Sequence, residues 1–211
     1  MKSLVSLLHD KMPSQPTAVA ELYQIPVGFA ERYNNADYRG PLIQELNDHI
    51  RYYLGFLESI RVELVKDFHG SFDFAVDSAG AVFSNIRHPF AGLYSGRHRI
   101  VIANEQRYSF QNICAILAHE STHNYLDIQS ITLKNVDAEI LTDIAAAYLG
   151  FGFVLLKGYE TYGMSLGYLS IKSIKEVIHQ AVKLRGWPIS TLFESFETLF
   201  DKFRLWVPSL L

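Results

Sequence analysis

The chain has 211 residues, 49% of them hydrophobic, enough for one compact core and too few for two generous domains. A net charge of −3 does not favour nucleic acid or an anionic membrane as a partner, and a single cysteine, Cys114, excludes an intrachain disulfide framework. No run is read as reaching the ~18 apolar residues of a membrane span. The apolar stretch in Met1–Asp10 is shorter than a signal peptide and lacks a small-residue cleavage site, so a cytoplasmic location is expected, with signal-free secretion left open.

Residues 1–40, punctuated by Pro13, Pro16 and Pro26, are expected as an irregular arm with a short helix around Thr17–Tyr23. A single domain is expected over 41–211. From Leu42 to about Val65 the apolar residues Ile43, Leu46, Ile50, Tyr53, Leu54, Leu57 and Ile60 recur at helical spacing, predicting one long helix or two joined near Gly55. The period then shortens. Phe72, Phe74 and Val76 alternate with smaller or polar neighbours, and Ala81-Val82-Phe83 follows a Ser78-Ala79-Gly80 turn, which predicts a hairpin. Leu93-Tyr94 and Arg97–Ala103 read as further strands. Helices are expected over 109–126, over 135–157 with a bend at Gly150 or Gly152, over 171–185 after Ser170, and over 189–206 after Pro188. The fold class is therefore α+β, a small antiparallel or mixed sheet on a mainly helical body. Phenylalanines at helical spacing in 192–203 are expected to pack in the core.

The helix over 109–126 carries His119-Glu120-Ser121-Thr122-His123. Histidines four apart lie one above the other on a helix face, about one turn or ~6 Å apart. Two imidazole nitrogens so placed can bind one zinc ion, each at ~2.0–2.1 Å. Glu120, offset from them, can reach a metal-bound water without ligating the metal. The flanking residues Ile113, Ala115, Ile116, Leu117, Ala118, Tyr125 and Leu126 make this helix strongly apolar. Burying two histidines and a glutamate there without partners is costly, and a metal ion would satisfy them. Histidines bonded to backbone carbonyls in a core are the plain alternative. Cys114, in the same apolar helix, reads as a small core residue.

Zinc needs a third protein ligand. In the next helix Glu139 and Asp143 share one face, with Ala146, Ala147 and Gly150 following along it, so the two helices can approach closely. Glu139 is the expected ligand, which leaves an open position for water. Asp143 is placed to accept from the far nitrogen of a ligand histidine and so to set its tautomer. Asp137 competes for the ligand role, and a solvated acidic face is the alternative for the pair. His69, His88 and His98 fall outside ligand spacing.

His119, Glu120, His123, Glu139 and Asp143 together resemble the gluzincin branch of zinc metallopeptidases, in which a His-Glu-x-x-His helix is followed by a Glu-x-x-x-Asp helix. The linker from His123 to Glu139, the Tyr148-Leu149-Gly150-Phe151-Gly152 run and Gly167-Tyr168-Leu169-Ser170 are similar to small single-domain bacterial members. The likeness covers roughly residues 95–185, and the third histidine of metzincins is absent. It implies a zincin-like fold, one Zn2+ per chain and a peptide or protein substrate. It also implies that the strand ahead of the metal helix, Arg99, Ile100, Val101, Ile102 and Ala103, is an edge to which substrate pairs. Glu120 would act as general base. The oxyanion donor is sought among Tyr168, Tyr162, His98 and His179, with Tyr168 first. A zincin-fold sensor or binding module with a structural metal, and a host-directed effector peptidase, stay open as alternatives.

Overall fold

The structure, a computed structural model, describes residues 3–12, 22–65, 75–76, 82–83, 91–94, 99–103, 108–159 and 166–187. Helices α1 (Leu4–Lys11), α2 (Phe29–Asn34) and α3 (Gly40–Tyr53) lead into strand β1 (Arg61–Val65). Two short strands, β2 (Ala75–Val76) and β3 (Val82–Phe83), pair antiparallel, as the expected hairpin requires. Strands β4 (Gly92–Tyr94) and β5 (Arg99–Ala103) precede the central helix α4 (Phe110–Ile128). Helices α5 (Ala138–Ala146), α6 (Gly152–Tyr159) and α7 (Ile171–Arg185) complete the described chain. The class is α+β, as the alternation of periods predicts.

Helix α4 organises the fold. Ser109 caps it: its hydroxyl accepts the Asn112 N–H at 3.2 Å while Asn112 Oδ1 accepts the Ser109 N–H at 2.8 Å. This reciprocal pair satisfies two backbone donors that a helix start leaves open. Nearly every residue from Phe110 to Leu126 is buried, Cys114 included, because α3, α5, α6 and β4 enclose α4 on successive faces. The same apolar cluster includes Val5 and Leu8 of α1 and Ile174 and Ile178 of α7.

The helical stretch expected over 42–65, as one helix or as two joined near Gly55, stops at Tyr53 and does not resume. Gly55 takes φ +86°, and the Phe56 N–H turns back to the Arg51 carbonyl at 2.9 Å. That left-handed glycine followed by a six-to-one bond ends a helix, and Gly55 adopts it without the steric cost a side chain would bring. Beyond it Leu57 is exposed, and residues 61–65 form β1 with Val62 and Leu64 turned toward the core. The spacing of Leu57 and Ile60 mimics a helix across a chain reversal.

The expected N-terminal arm is also more ordered than its prolines suggest. Val5 and Leu8 bury one face of α1, Phe29 and Tyr33 one face of α2, and the Tyr23 N–H bonds the Gly150 carbonyl. Leu22 and Tyr23 are not helical, and the rest of the short helix expected at Thr17–Tyr23 lies outside the described residues, as do 189–206 and its phenylalanines.

The main sheet has the order β1-β5-β4, with β1 parallel and β4 antiparallel to β5. Arg99–Ala103 is therefore the central strand, paired on both sides, and not the expected edge. Its continuous buried run Ile100–Ala103 suits a strand covered on both faces. Among the described residues the edge on the α4 side is β4.

The helix expected over 135–157 begins at Ala138 and bends where expected, in a π turn over Ala147–Phe151 with Gly150 at φ +109°. Contrary to the sequence reading, Ala138–Tyr159 is long and apolar enough to cross a membrane. Its most apolar stretch is 89% buried in the protein, so packing between helices accounts for that apolarity.

Candidate metal centre

Two helices build the site. Helix α4 supplies His119, Glu120 and His123, and α5 supplies Glu139, Thr142 and Asp143, spaced so that all three lie on the face toward α4. Their closest atoms form a triangle. His119 Nε2 lies 3.0 Å and His123 Nε2 3.1 Å from Glu139 Oε2, and the two nitrogens are 3.1 Å apart. Ligands on a tetrahedral centre with bonds of ~2.05 Å are spaced ~3.3 Å apart, so one small cation fits all three. Among the described residues this is the one group of three such side chains close enough to hold a metal.

Asp143 is completely buried and accepts on both oxygens. His119 Nδ1 lies 2.8 Å and the donating Tyr159 hydroxyl 2.6 Å from Oδ1, while the N–H groups of Tyr168 and Leu169 reach Oδ2 at 2.8 and 3.0 Å. A carboxylate only accepts, so Nδ1 of His119 carries a proton, and in the neutral ring Nε2 then presents its lone pair to the centre of the triangle. Burial opposes ionisation of Asp143, but the hydrogen bond and charge of His119 prevail and hold its carboxyl below the usual range. Burial by itself would lower the His119 pKa; hydrogen bonds to Asp143 and Glu139 reverse this and raise it well above the ordinary imidazole value. Glu139 is held low in the same way by His119 and His123 against the effect of burial. The centre therefore strongly favours positive charge. A single proton can bridge only one of the three pairs in this triangle, whereas one divalent cation can be bound by all three atoms.

Glu120 is buried but is not part of the triangle. Burial pushes its carboxyl above the usual range, and the charges of His119 and His123 only partly offset this. Strand β4 covers it: a Cβ on Gly92 would sit 2.8 Å from Glu120 Oε1 and 2.5 Å from Ile116 Cγ2. Gly92→Ala is accordingly expected to cost about 1–3 kcal/mol in urea unfolding, the range for overpacking. An unchanged midpoint would show that Ile116 gives way freely. The strand is further held by Tyr94, whose hydroxyl accepts from Asn124 Nδ2 at 2.8 Å while Arg51 donates to Asn124 Oδ1 at 2.6 Å.

Asp137, the competing ligand, is the N-cap of α5 and accepts the Glu139 and Ile140 N–H groups at 2.9 and 3.3 Å. Asp137→Ala is expected to cost about 1 kcal/mol of stability with metal content unchanged, whereas Glu139→Ala removes the metal. Metal analysis of the two purified variants decides, and the reverse outcome would move the third ligand.

Tyr168 lies against the site, its half-exposed ring stacked on His119 with centroids 5.9 Å apart. Burial, then the charges of Glu139, Glu120 and Asp143, raise its phenol pKa. His179 is exposed on α7, and Tyr162, His69, His88 and His98 lie outside the described residues. Two further residues belong to the site: Tyr159, which has no spacing signal in the sequence, and Thr142, whose only signal is a hydroxyl between apolar Leu141 and Asp143. The chain matches no protein-family model, no curated protein and no solved structure.

Proposed function

We propose that the protein is a zinc-dependent peptidase with a zincin-like, gluzincin-type centre. The observation that carries this reading is the triangle of His119 Nε2, His123 Nε2 and Glu139 Oε2, with sides of 3.0–3.1 Å, beside a buried carboxylate that belongs to no ligand pair. These donors suit zinc, which takes two imidazoles and a carboxylate and keeps a fourth position open. Zinc bound there would lower the pKa of a water toward ~7 and polarise a peptide carbonyl.

The rest belongs to the chain. Glu120, raised in pKa by burial, takes a proton from the attacking water and passes it to the leaving amine. Tyr168, whose raised pKa keeps its phenol protonated, is the donor proposed for the oxyanion. Strand β4 is the edge to which an extended substrate would pair, because it runs past Glu120 and its outer side has no strand partner among the described residues. The cytoplasm is the proposed location.

A purely structural metal has no use for a buried general base, which favours catalysis over the sensor reading. Metal analysis of purified protein should find about one zinc per chain, and His123→Ala should lose it. Active protein and its Glu120→Gln variant, each incubated with a proteome, should differ in new peptide termini. Metal-free wild type would sink the reading, and a zinc-loaded protein that makes no new termini would favour a binding module.

A further inference from the structure

His119 has a buried carboxylate behind it, but His123 does not, and this asymmetry has a chemical consequence. The atom behind His123 Nδ1 is Thr142 Oγ1, 3.1 Å away. A threonine hydroxyl has one hydrogen, and this one is donated to the Ala138 carbonyl at 2.8 Å. Toward His123 the oxygen can therefore only accept, so Nδ1 must carry a proton and donate it. A neutral imidazole with its proton on Nδ1 presents a lone pair at Nε2, the atom that faces His119 Nε2 and Glu139 Oε2 at 3.1 Å. Thr142 is 1% exposed, so no solvent competes for its oxygen.

We propose that Thr142 is the positioning residue of the second histidine ligand: its hydroxyl, committed to the Ala138 carbonyl, fixes the His123 tautomer and ring so that Nε2 can bind metal. This rests on the metal-centre reading above. Helix α5 then contributes Glu139 to the triangle and one tautomer-setting acceptor for each histidine, Thr142 for His123 and Asp143 for His119. A hydroxyl is a weaker acceptor than a carboxylate, so the Nδ1 proton of His123 is held less firmly than that of His119.

Thr142→Val tests this cleanly. It keeps the shape, and Ala138 C=O retains its helical bond from the residue-142 N–H, so only the acceptor for His123 is lost. Zinc is titrated into the whole chain against a chromophoric chelator. Thr142→Val is expected to bind zinc 10–100-fold more weakly than wild type, the range for loss of an outer partner of a ligand, and Thr142→Ser to stay close to wild type. In zinc-loaded protein the His123 Nδ1 proton, followed by NMR, is expected to resist exchange in wild type and Thr142→Ser and to exchange freely in Thr142→Val. Equal zinc affinity of the valine variant and wild type overturns the proposal while leaving the metal centre intact. So does a freely exchanging Nδ1 proton in wild type, which decides the matter even if Thr142→Val does not fold. Failure of wild type itself to bind zinc overturns the metal centre instead.

Discussion

Glu120→Gln is expected to retain about one zinc per chain while hydrolysis falls by about 10²–10⁴-fold, the usual contribution of a positioned general base. The substitution is nearly isosteric, which matters because β4 leaves no slack: Gly92 lies directly on this side chain. The converging ligand atoms belong to His119, His123 and Glu139, so the metal has no reason to leave. An amide cannot accept the proton of the attacking water. Stability provides a second readout. Because the folded-state pKa of Glu120 is raised, the folded protein favours the protonated carboxyl and loses stability as pH rises through that value. Glutamine mimics the neutral form at every pH, so metal-free Glu120→Gln should unfold at a higher temperature than wild type near neutral pH. Full activity in the variant would remove Glu120 from the mechanism, and loss of zinc would make it a ligand.

What could be read in the sequence is what local spacing determines. His119 and His123 share a face because a helix repeats every 3.6 residues, and Glu139 and Asp143 do so for the same reason. The Ser109 and Ser170 caps, and the bend at Gly150, also follow from near neighbours. Illegible features depend on contacts between distant segments. Tyr159 reaches Asp143 only because α6 folds back beside α4 after the π turn. The central position of β5 is set by β1, 38 residues earlier in register (Arg61 against Arg99), and no pattern within Arg99–Ala103 distinguishes an edge from a centre. The sequence reads Gly55 as a possible joint between two helices, whereas strand β1 follows it, and this miss has another cause. Apolar residues on either side of a turn can keep a 3.6-residue spacing by accident, and only the left-handed glycine betrays the reversal.

Asp143→Ala should be the most damaging change outside the ligands. It removes the acceptor of four donors at once: His119 Nδ1–H, the Tyr159 hydroxyl and the N–H groups of Tyr168 and Leu169. Breaking a buried pair of this kind costs about 3–5 kcal/mol, a large share of the 5–15 kcal/mol that holds a domain folded. Urea unfolding should be measured in chelator, so that lost metal binding does not enter. The pH dependence identifies the cause. Asp143 has a lowered pKa in the folded protein, so its stabilisation is present above the unfolded value of ~3.9 and fades as pH falls through the folded one. His119 has a raised one, so its share is complete below ~6.5 and fades as pH rises through the folded value. The gap between wild type and Asp143→Ala should therefore be widest between pH ~4 and ~6.5 and narrow on both sides. A gap independent of pH would mean that the two backbone N–H bonds, rather than the pair with His119, are what Asp143 contributes. Zinc affinity, measured separately, should fall 10–100-fold, because the proton on His119 Nδ1 would no longer be held and its ring no longer aimed.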